Sequence, residues 1–225
     1  MKKIVIIVAG GMGSRMNSDI PKQFMVLNDR PVLMHTIQVF HGYDKTMEIR
    51  LVLPEDEIPT WEKLCKEYNF SIKHSIISGG ETRFHSVSNG LKDIDHPAII
   101  AVHDGVRPLV SESTIDSCFK TATEQGTAIP VLSLKESIRE VTGEDSVARN
   151  RGMFRIVQTP QIFHSEILLD AYHTDYQDSF TDDASVVEHA GYKIYLSNGN
   201  EENIKITSPL DLRIAEILLM SGHLE

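Results

Sequence analysis

Residues 4–24 read IVIIVAGGMGSRMNSDIPKQF. The apolar run Ile4–Ala9 is rich in β-branched side chains, which suits a strand buried on both faces of a sheet. Gly10, Gly11 and Gly13 follow at once. Lacking a Cβ, they let the backbone turn sharply and bring its N–H groups close to an anion. Arg15 and Lys22 then add two positive charges, and Pro21 stiffens the approach to the second. A strand that runs into a glycine loop flanked by cations is a place for the phosphates of a nucleotide. Taken as bare pattern, the glycines also fit a strand-to-helix turn that serves packing alone.

Two familiar phosphate motifs do not match. A P-loop requires Gly-x-x-x-x-Gly-Lys-Ser/Thr, and no lysine follows these glycines in that way. The dinucleotide fingerprint requires a third glycine where Gly11-Met12-Gly13-Ser14-Arg15-Met16 has methionine.

Outward from this stretch, strands and helices alternate. Pro31–Phe40 places Val32, Leu33, Ile37 and Phe40 on one helix face. Glu48–Leu53 is a second strand stopped by Pro54, and Thr60–Tyr68 a helix. Ile72–Ile77 is a third strand, 82–91 a helix, and Ala98–His103 a fourth, strongly apolar strand. Ser113–Gln125 is helical, closed by Gly126, and Thr127–Leu132 is a fifth strand. The alternation predicts an α/β, Rossmann-like fold: a mostly parallel sheet with helices on both faces. Between residues 133 and 158 the rhythm breaks. Ser137–Val141 and Met153–Val157 read as extended, with a turn at Thr142-Gly143-Glu144-Asp145, so a protruding β-arm or a surface excursion is expected there. Helices follow at 164–172 and 183–190, then a strand at Lys193–Leu196. A last helix is capped by Ser208, with Pro209 in its first turn and Asp211 complementing its dipole. Leu212, Ile214, Ala215, Leu218 and Leu219 are its expected core face. No internal repeat or linker interrupts residues 1–225, which predicts one domain carrying the arm.

Composition narrows the function. The 225 residues are 41% hydrophobic and 24% charged, ordinary for a globular protein with a sizeable core. The formal net charge of -10 argues against nucleic acid as a partner. An anionic substrate must then be drawn in by a local cluster of cations working against the overall field. No apolar run approaches a membrane span. Met1-Lys2-Lys3 ahead of Ile4–Ala9 imitates a signal peptide, but the apolar part is short and continues into glycine. Cys65 and Cys118 are isolated, which predicts reduced thiols and a cytoplasmic location. The histidines show no zinc-hydrolase spacing.

The segments Ala9–Met16 and Pro21-Lys22-Gln23-Phe24 resemble the nucleotidyltransferase signature of the cytidylyltransferases. Within them the chain is most similar to the family acting on 2-C-methyl-D-erythritol 4-phosphate in non-mevalonate isoprenoid synthesis. The similarity continues through Gly79-Gly80-Glu81-Thr82-Arg83, His103-Asp104-Gly105-Val106-Arg107-Pro108, Gln158-Thr159-Pro160-Gln161, Thr181–Ser185 and Asn203–Thr207, in order along nearly the whole chain.

The resemblance implies CTP as co-substrate, a polyol phosphate as acceptor and Mg²⁺ as the divalent cation. It places Ala9, Gly10, Gly11 and Gly13 on the nucleotide. It makes Arg15 and Lys22 stabilisers of the charge that accumulates at the α-phosphate, which a fixed guanidinium fork and a mobile ammonium suit. Gly80, Arg83 and Ser86 are implied as further nucleotide contacts, with the backbone near Gly80 reading the base. Asp104 lies just past the fourth strand, at the carboxyl edge where open α/β sheets bind ligands. A carboxylate there can hold Mg²⁺ or a ribose hydroxyl, or simply belong to a turn before Gly105. Glu202 is a weaker metal candidate.

Arg107, Ser137, Arg151, Thr181 and Lys205 are implied to clamp the polyol phosphate, with Arg151 and Lys205 orienting its phosphate. The β-arm is implied to clasp a second subunit in a homodimer. Two alternatives stand beside this reading: a ribitol-5-phosphate cytidylyltransferase, and a non-catalytic nucleotide-binding regulator on the same fold. The latter predicts loss of the phosphate-handling cations, whereas Arg15, Lys22, Arg151 and Lys205 are all in the sequence.

Overall fold

The computed structural model describes residues 1–10 and 20–221. Strand β1 (Lys2–Val8) precedes a helical turn at Lys22–Phe24 and the short strands β2 (Val26–Leu27) and β3 (Arg30–Pro31). Then come α1 (Val32–Tyr43), β4 (Glu48–Leu53), α2 (Ile58–Glu67), β5 (Ser75–Ser78), α3 (Arg83–Leu91), β6 (Ala98–Asp104), α4 (Glu112–Gln125) and β7 (Thr127–Ser133). A hairpin of β8 (Ile138–Thr142) and β9 (Asp145–Arg149) follows, then β10 (Arg155–Val157) and β11 (Gln161–His164). The chain closes with α5 (Ser165–Ala171), α6 (Asp183–His189), β12 (Leu196–Asn198) and α7 (Pro209–Met220).

The central sheet has the order β10-β7-β11-β6-β1-β4-β5, with β12 also paired to β7. Neighbours β6, β1, β4 and β5 are parallel, while β10 and β11 run antiparallel to their partners. The first strand shows why the sequence folds this way. Val5 and Ile7 enter a core shared with residues of α1, α2 and α4. Ile4 and Ile6 enter a second core with α3, α5 and α6. A strand covered on both faces needs an apolar side chain at every position, and Ile4–Ile7 supplies that. The chain therefore has the expected α/β architecture. The last helix is also as expected at its start: Ser208 and Asp211 form a reciprocal capping box, with Pro209 in the first turn.

Several local expectations are corrected. Thr142 pairs with Asp145, leaving only Gly143 and Glu144 as the hairpin loop, and Gly143 takes φ +61°. So short a loop returns the chain at once, which makes Asp145–Arg149 the partner of β8 rather than Met153–Val157. The latter segment divides: Arg151–Met153 is a 3-10 turn, and Arg155–Val157 pairs with β7 in the main sheet. Gln161–His164, expected only to lead into a helix, is an antiparallel strand inserted between β6 and β7. With four residues it is too short to show a period.

The third strand starts at Ser75, because His74 Nδ1 bonds its own chain at Ile72 O (2.7 Å) and its Nε2 accepts from Trp61 (3.0 Å). The strand expected at Lys193–Leu196 lies at Leu196–Asn198. Ile214 on α7 is exposed rather than in the core, since only Ala215 of that helix is fully covered.

Candidate active site

The carboxyl ends of β1 and β6 open into a cavity of about 180 Å³. Its walls hold Ala9 and Gly10 from the end of β1, Lys22 and Gln23 from the helical turn, and Gly80 to Arg83 with Ser86 from the start of α3. Asp104 and Val106 from the end of β6, and Lys205 from the loop before α7, complete them. Eight of the residues singled out in the sequence thus meet in one place: Ala9, Gly10, Lys22, Gly80, Arg83, Ser86, Asp104 and Lys205. Gly11, Gly13 and Arg15 lie outside the described residues.

Asp104 is the electrostatic centre. It is 7% exposed, and Arg107 Nε (3.1 Å) and Lys205 Nζ (3.0 Å) meet its Oδ2 while Arg83 Nε approaches Oδ1 at 3.6 Å. Burial on its own raises a carboxyl, but the charges of Arg83, Lys205 and Arg107 outweigh it and hold Asp104 well below the usual carboxylate range. Arg83 is itself anchored from below. Its Nη2 lies 2.6 Å from Oδ2 of the fully buried Asp183, whose Oδ1 accepts from Tyr172 (2.7 Å). Burial disfavours the guanidinium charge, yet Asp183 and Asp104 more than compensate, and Arg83 stays protonated. Burial and the adjacent Asp183 push the Tyr172 hydroxyl well above its ordinary range, so it stays a donor. In a chain of net charge -10, Lys22, Arg83 and Lys205 make a local cationic floor suited to phosphates.

The α3 side of the cavity is shaped by backbone. Gly80 N donates to Ser86 Oγ (3.1 Å), and a Cβ at Gly80 would fall 2.5 Å from that of His85. Only glycine fits so close to the first turn of α3.

The remaining candidates lie elsewhere. Arg107 is not in the cavity wall. Its guanidinium sits behind Asp104, bonded to that carboxylate and to Asn203 O (2.8 Å). Thr181 is exposed, one residue ahead of the Asp182 cap of α6. Ser137 and Arg151 are exposed on the hairpin side, with Arg151 bonded to Lys135 O. Glu202 accepts from Asn200 Nδ2 (3.1 Å) and does not line the cavity.

Gln23, Asp183 and His103 carry geometry that the sequence reading left without a role. Gln23 is fully buried and bonded to Glu57, and Phe24 beside it stacks on Trp61 at 6.2 Å, so the turn bearing Lys22 is pinned to α2 and the loop before it. Each stood inside a quoted motif, but nothing in a motif says which member faces inward.

Among the described residues no group of three His, Cys, Asp or Glu side chains is placed to hold a metal ion. Mg²⁺ needs no such cage, because it binds through one or two carboxylates together with substrate phosphates and water. Asp104, ionised and at the cavity wall, fits that role.

A cavity at the carboxyl edge of a mostly parallel sheet, with cations arranged about one ionised aspartate, has the form of the site of a nucleotide-handling α/β enzyme of the nucleotidyltransferase class. Comparison with known proteins narrows it. The family model for 2-C-methyl-D-erythritol 4-phosphate cytidylyltransferase matches residues 3–221, and the chain belongs to that family. The enzyme of this name from Phocaeicola vulgatus is 49% identical over 221 residues, covering 97% of this chain and 100% of its relative. That from Bacteroides thetaiotaomicron is 48% identical over 219 residues, with the same coverage of both chains. The crystal structure of the Thermus thermophilus enzyme superposes with a TM-score of 0.79 at 29% identity, over 98% of this chain and 100% of the other. No helix among the described residues is long and apolar enough to cross a membrane.

Proposed function

We propose that the chain transfers the cytidylyl group of CTP to 2-C-methyl-D-erythritol 4-phosphate in non-mevalonate isoprenoid precursor synthesis. The acceptor's phosphate oxygen attacks the α-phosphorus of CTP, the bond to the β-phosphate oxygen breaks, and pyrophosphate leaves. The observation that carries this reading is that Lys22, Arg83, Lys205 and Asp104 line one cavity at the carboxyl edge of β1 and β6, in a chain of this family.

Catalysis is positioning and electrostatics, since the acceptor phosphate is already a nucleophile. Lys22, with Arg15, stabilises the charge that builds at the α-phosphate. Ala9, Gly10 and the glycine loop hold the triphosphate, while Gly80 and Ser86 present polar backbone and hydroxyl groups to the base. Arg83, kept charged by Asp183, faces the nucleotide. Lys205 orients the acceptor phosphate together with Arg151, Thr181 serves the polyol, and Arg107 holds the Asp104 carboxylate from behind. Asp104 would hold Mg²⁺, and the ion would neutralise triphosphate charge.

The hairpin supports a homodimer. Val141, Val147, Met153, Phe154, Ile156 and Val157 are all exposed apolar side chains on or beside it. Arg151 and Ser137 lie in the same region, outside the cavity wall of their own subunit. A partner that covers these apolar groups also has a route to bring Arg151 and Ser137 towards a substrate. The enzyme is one domain carrying this arm, working in the cytoplasm.

The test is pyrophosphate release with CTP paired in turn with 2-C-methyl-D-erythritol 4-phosphate and ribitol 5-phosphate. Strong preference for the first is expected. Equal or better turnover of ribitol 5-phosphate overturns the acceptor assignment, and no release with either overturns the enzyme reading.

A further inference from the structure

His103 is a fully buried imidazole immediately before Asp104, and no step of the transfer above uses it. Its ring edge packs against Phe40 of α1, with centroids 4.8 Å apart. Its two nitrogens have different partners. Nε2 lies 3.0 Å from the carbonyl oxygen of Arg107, and Nδ1 lies 3.0 Å from Thr159 Oγ1. A carbonyl only accepts, so Nε2 carries the proton and Nδ1 is the acceptor. The Thr159 hydroxyl then donates to Nδ1, which leaves its oxygen free to receive the N–H of Asp104 at 3.2 Å.

One ring therefore ties down both ends of the turn Asp104–Arg107. It holds the Arg107 carbonyl directly and the Asp104 backbone through Thr159. The same turn is closed on its outer side by Arg107, which bonds the Asp104 carboxylate and Asn203 O. Asn203 in turn donates to Thr159 O at 2.8 Å, so the network closes on itself.

We propose that His103 is a positioning residue for the transfer, whose two ring nitrogens, bonded to the Arg107 carbonyl and to Thr159, set the Asp104–Arg107 turn against the acceptor side of the cavity. This rests on the reaction proposed above. A proton on Nδ1 would remove the acceptor that orients the Thr159 hydroxyl, and with it the hold on the Asp104 N–H.

Two measurements test this. The first is an imidazole nitrogen NMR spectrum of the wild-type protein, with the His103 signals assigned by through-bond correlation from its backbone to its ring. A neutral Nε2–H tautomer at pH 7 is expected. An Nδ1–H tautomer or an imidazolium overturns the proposal, whatever the variants do. The second is a pair of variants compared at equal folded fraction. His103→Asn keeps an acceptor for Thr159 but leaves the Arg107 carbonyl without a donor. His103→Gln extends an amide N–H towards that carbonyl.

For His103→Asn the KM for the acceptor phosphate should rise about tenfold while the CTP KM moves less than about threefold, and His103→Gln should lie closer to wild type. An equal rise in both KM values, or Gln as impaired as Asn, overturns the proposal, because a mere packing role would produce that. If neither variant folds, the spectrum alone decides. The spectrum is read without turnover, so failure of the reaction assignment and failure of the positioning role are separate results.

Discussion

The Asp104 corner and the β8–β9 hairpin solve opposite problems in one chain. At the corner, charged groups are buried and each finds partners: Asp104 has three cations, and Arg83 has Asp183 beneath it. On the hairpin, apolar groups are exposed, with Val141 at 69% and Val147 at 57%. A buried charge is stable only when it is paired, so the corner's geometry is fixed within its own subunit. A two-stranded ribbon with uncovered valines has too little core to be stable alone. With the proposed dimer, the contrast separates what one subunit completes from what it leaves to a partner.

Four experiments break or sharpen this contrast. The largest effect is expected at Lys22, the cavity cation proposed to act at the transition state. Lys22→Ala should lower turnover by about two to three orders of magnitude, with the CTP KM changing far less. Near-normal turnover with only weaker CTP binding would move Lys22 to ground-state binding.

Next comes acid stability, to which the corner contributes through His103. His103 has its folded pKa depressed to about 4 from the ordinary 6.5. Above 6.5 both states are neutral there and the group contributes nothing. As pH falls from 6.5 towards 4, the unfolded chain takes up a proton that the folded chain refuses, so stability is lost, by up to about 3 kcal/mol. Denaturant unfolding from pH 7 to 4 should show this slope in wild type and lack it in His103→Gln. Parallel curves for the two proteins would refute it. The facing charges of Asp104, Arg83 and Arg107 remain in the variant and so cancel in the difference.

The hairpin gives the third test. A Val141→Asp/Val147→Asp double variant should weaken the dimer by about tenfold or more, read by light scattering across concentration, with loss of activity following dissociation. A wild-type protein that is monomeric and fully active at assay concentration would remove the partner from the account. Thr181→Val should have the smallest effect. It should erode the preference for methylerythritol phosphate over ribitol 5-phosphate by a few-fold and leave CTP binding nearly unchanged, because it removes one hydroxyl contact. A larger change in CTP binding than in preference would place Thr181 on the nucleotide instead.

The sequence by itself determined the elements whose signal is local. The continuous apolar run at Ile4–Ile7 announced a strand covered on both faces, and Ser208-Pro209 with Asp211 announced a helix start. Gly10, Lys22 and Asp104, singled out beside strand ends, do line one cavity. Tertiary structure decided what depends on residues distant in the chain. Gln161–His164 becomes a strand only because β6 and β7 leave a slot for it. Met153–Val157 divides because a two-residue loop had already supplied β8 with its partner. Arg107 turns inward to Asp104 and Asn203 instead of lining the cavity. Asp183 and His103 gain their roles from contacts to residues 100 and 56 positions away, Arg83 and Thr159. Hydrogen-bond partners and burial are properties of the assembled fold, and no window of sequence contains both members of such a pair.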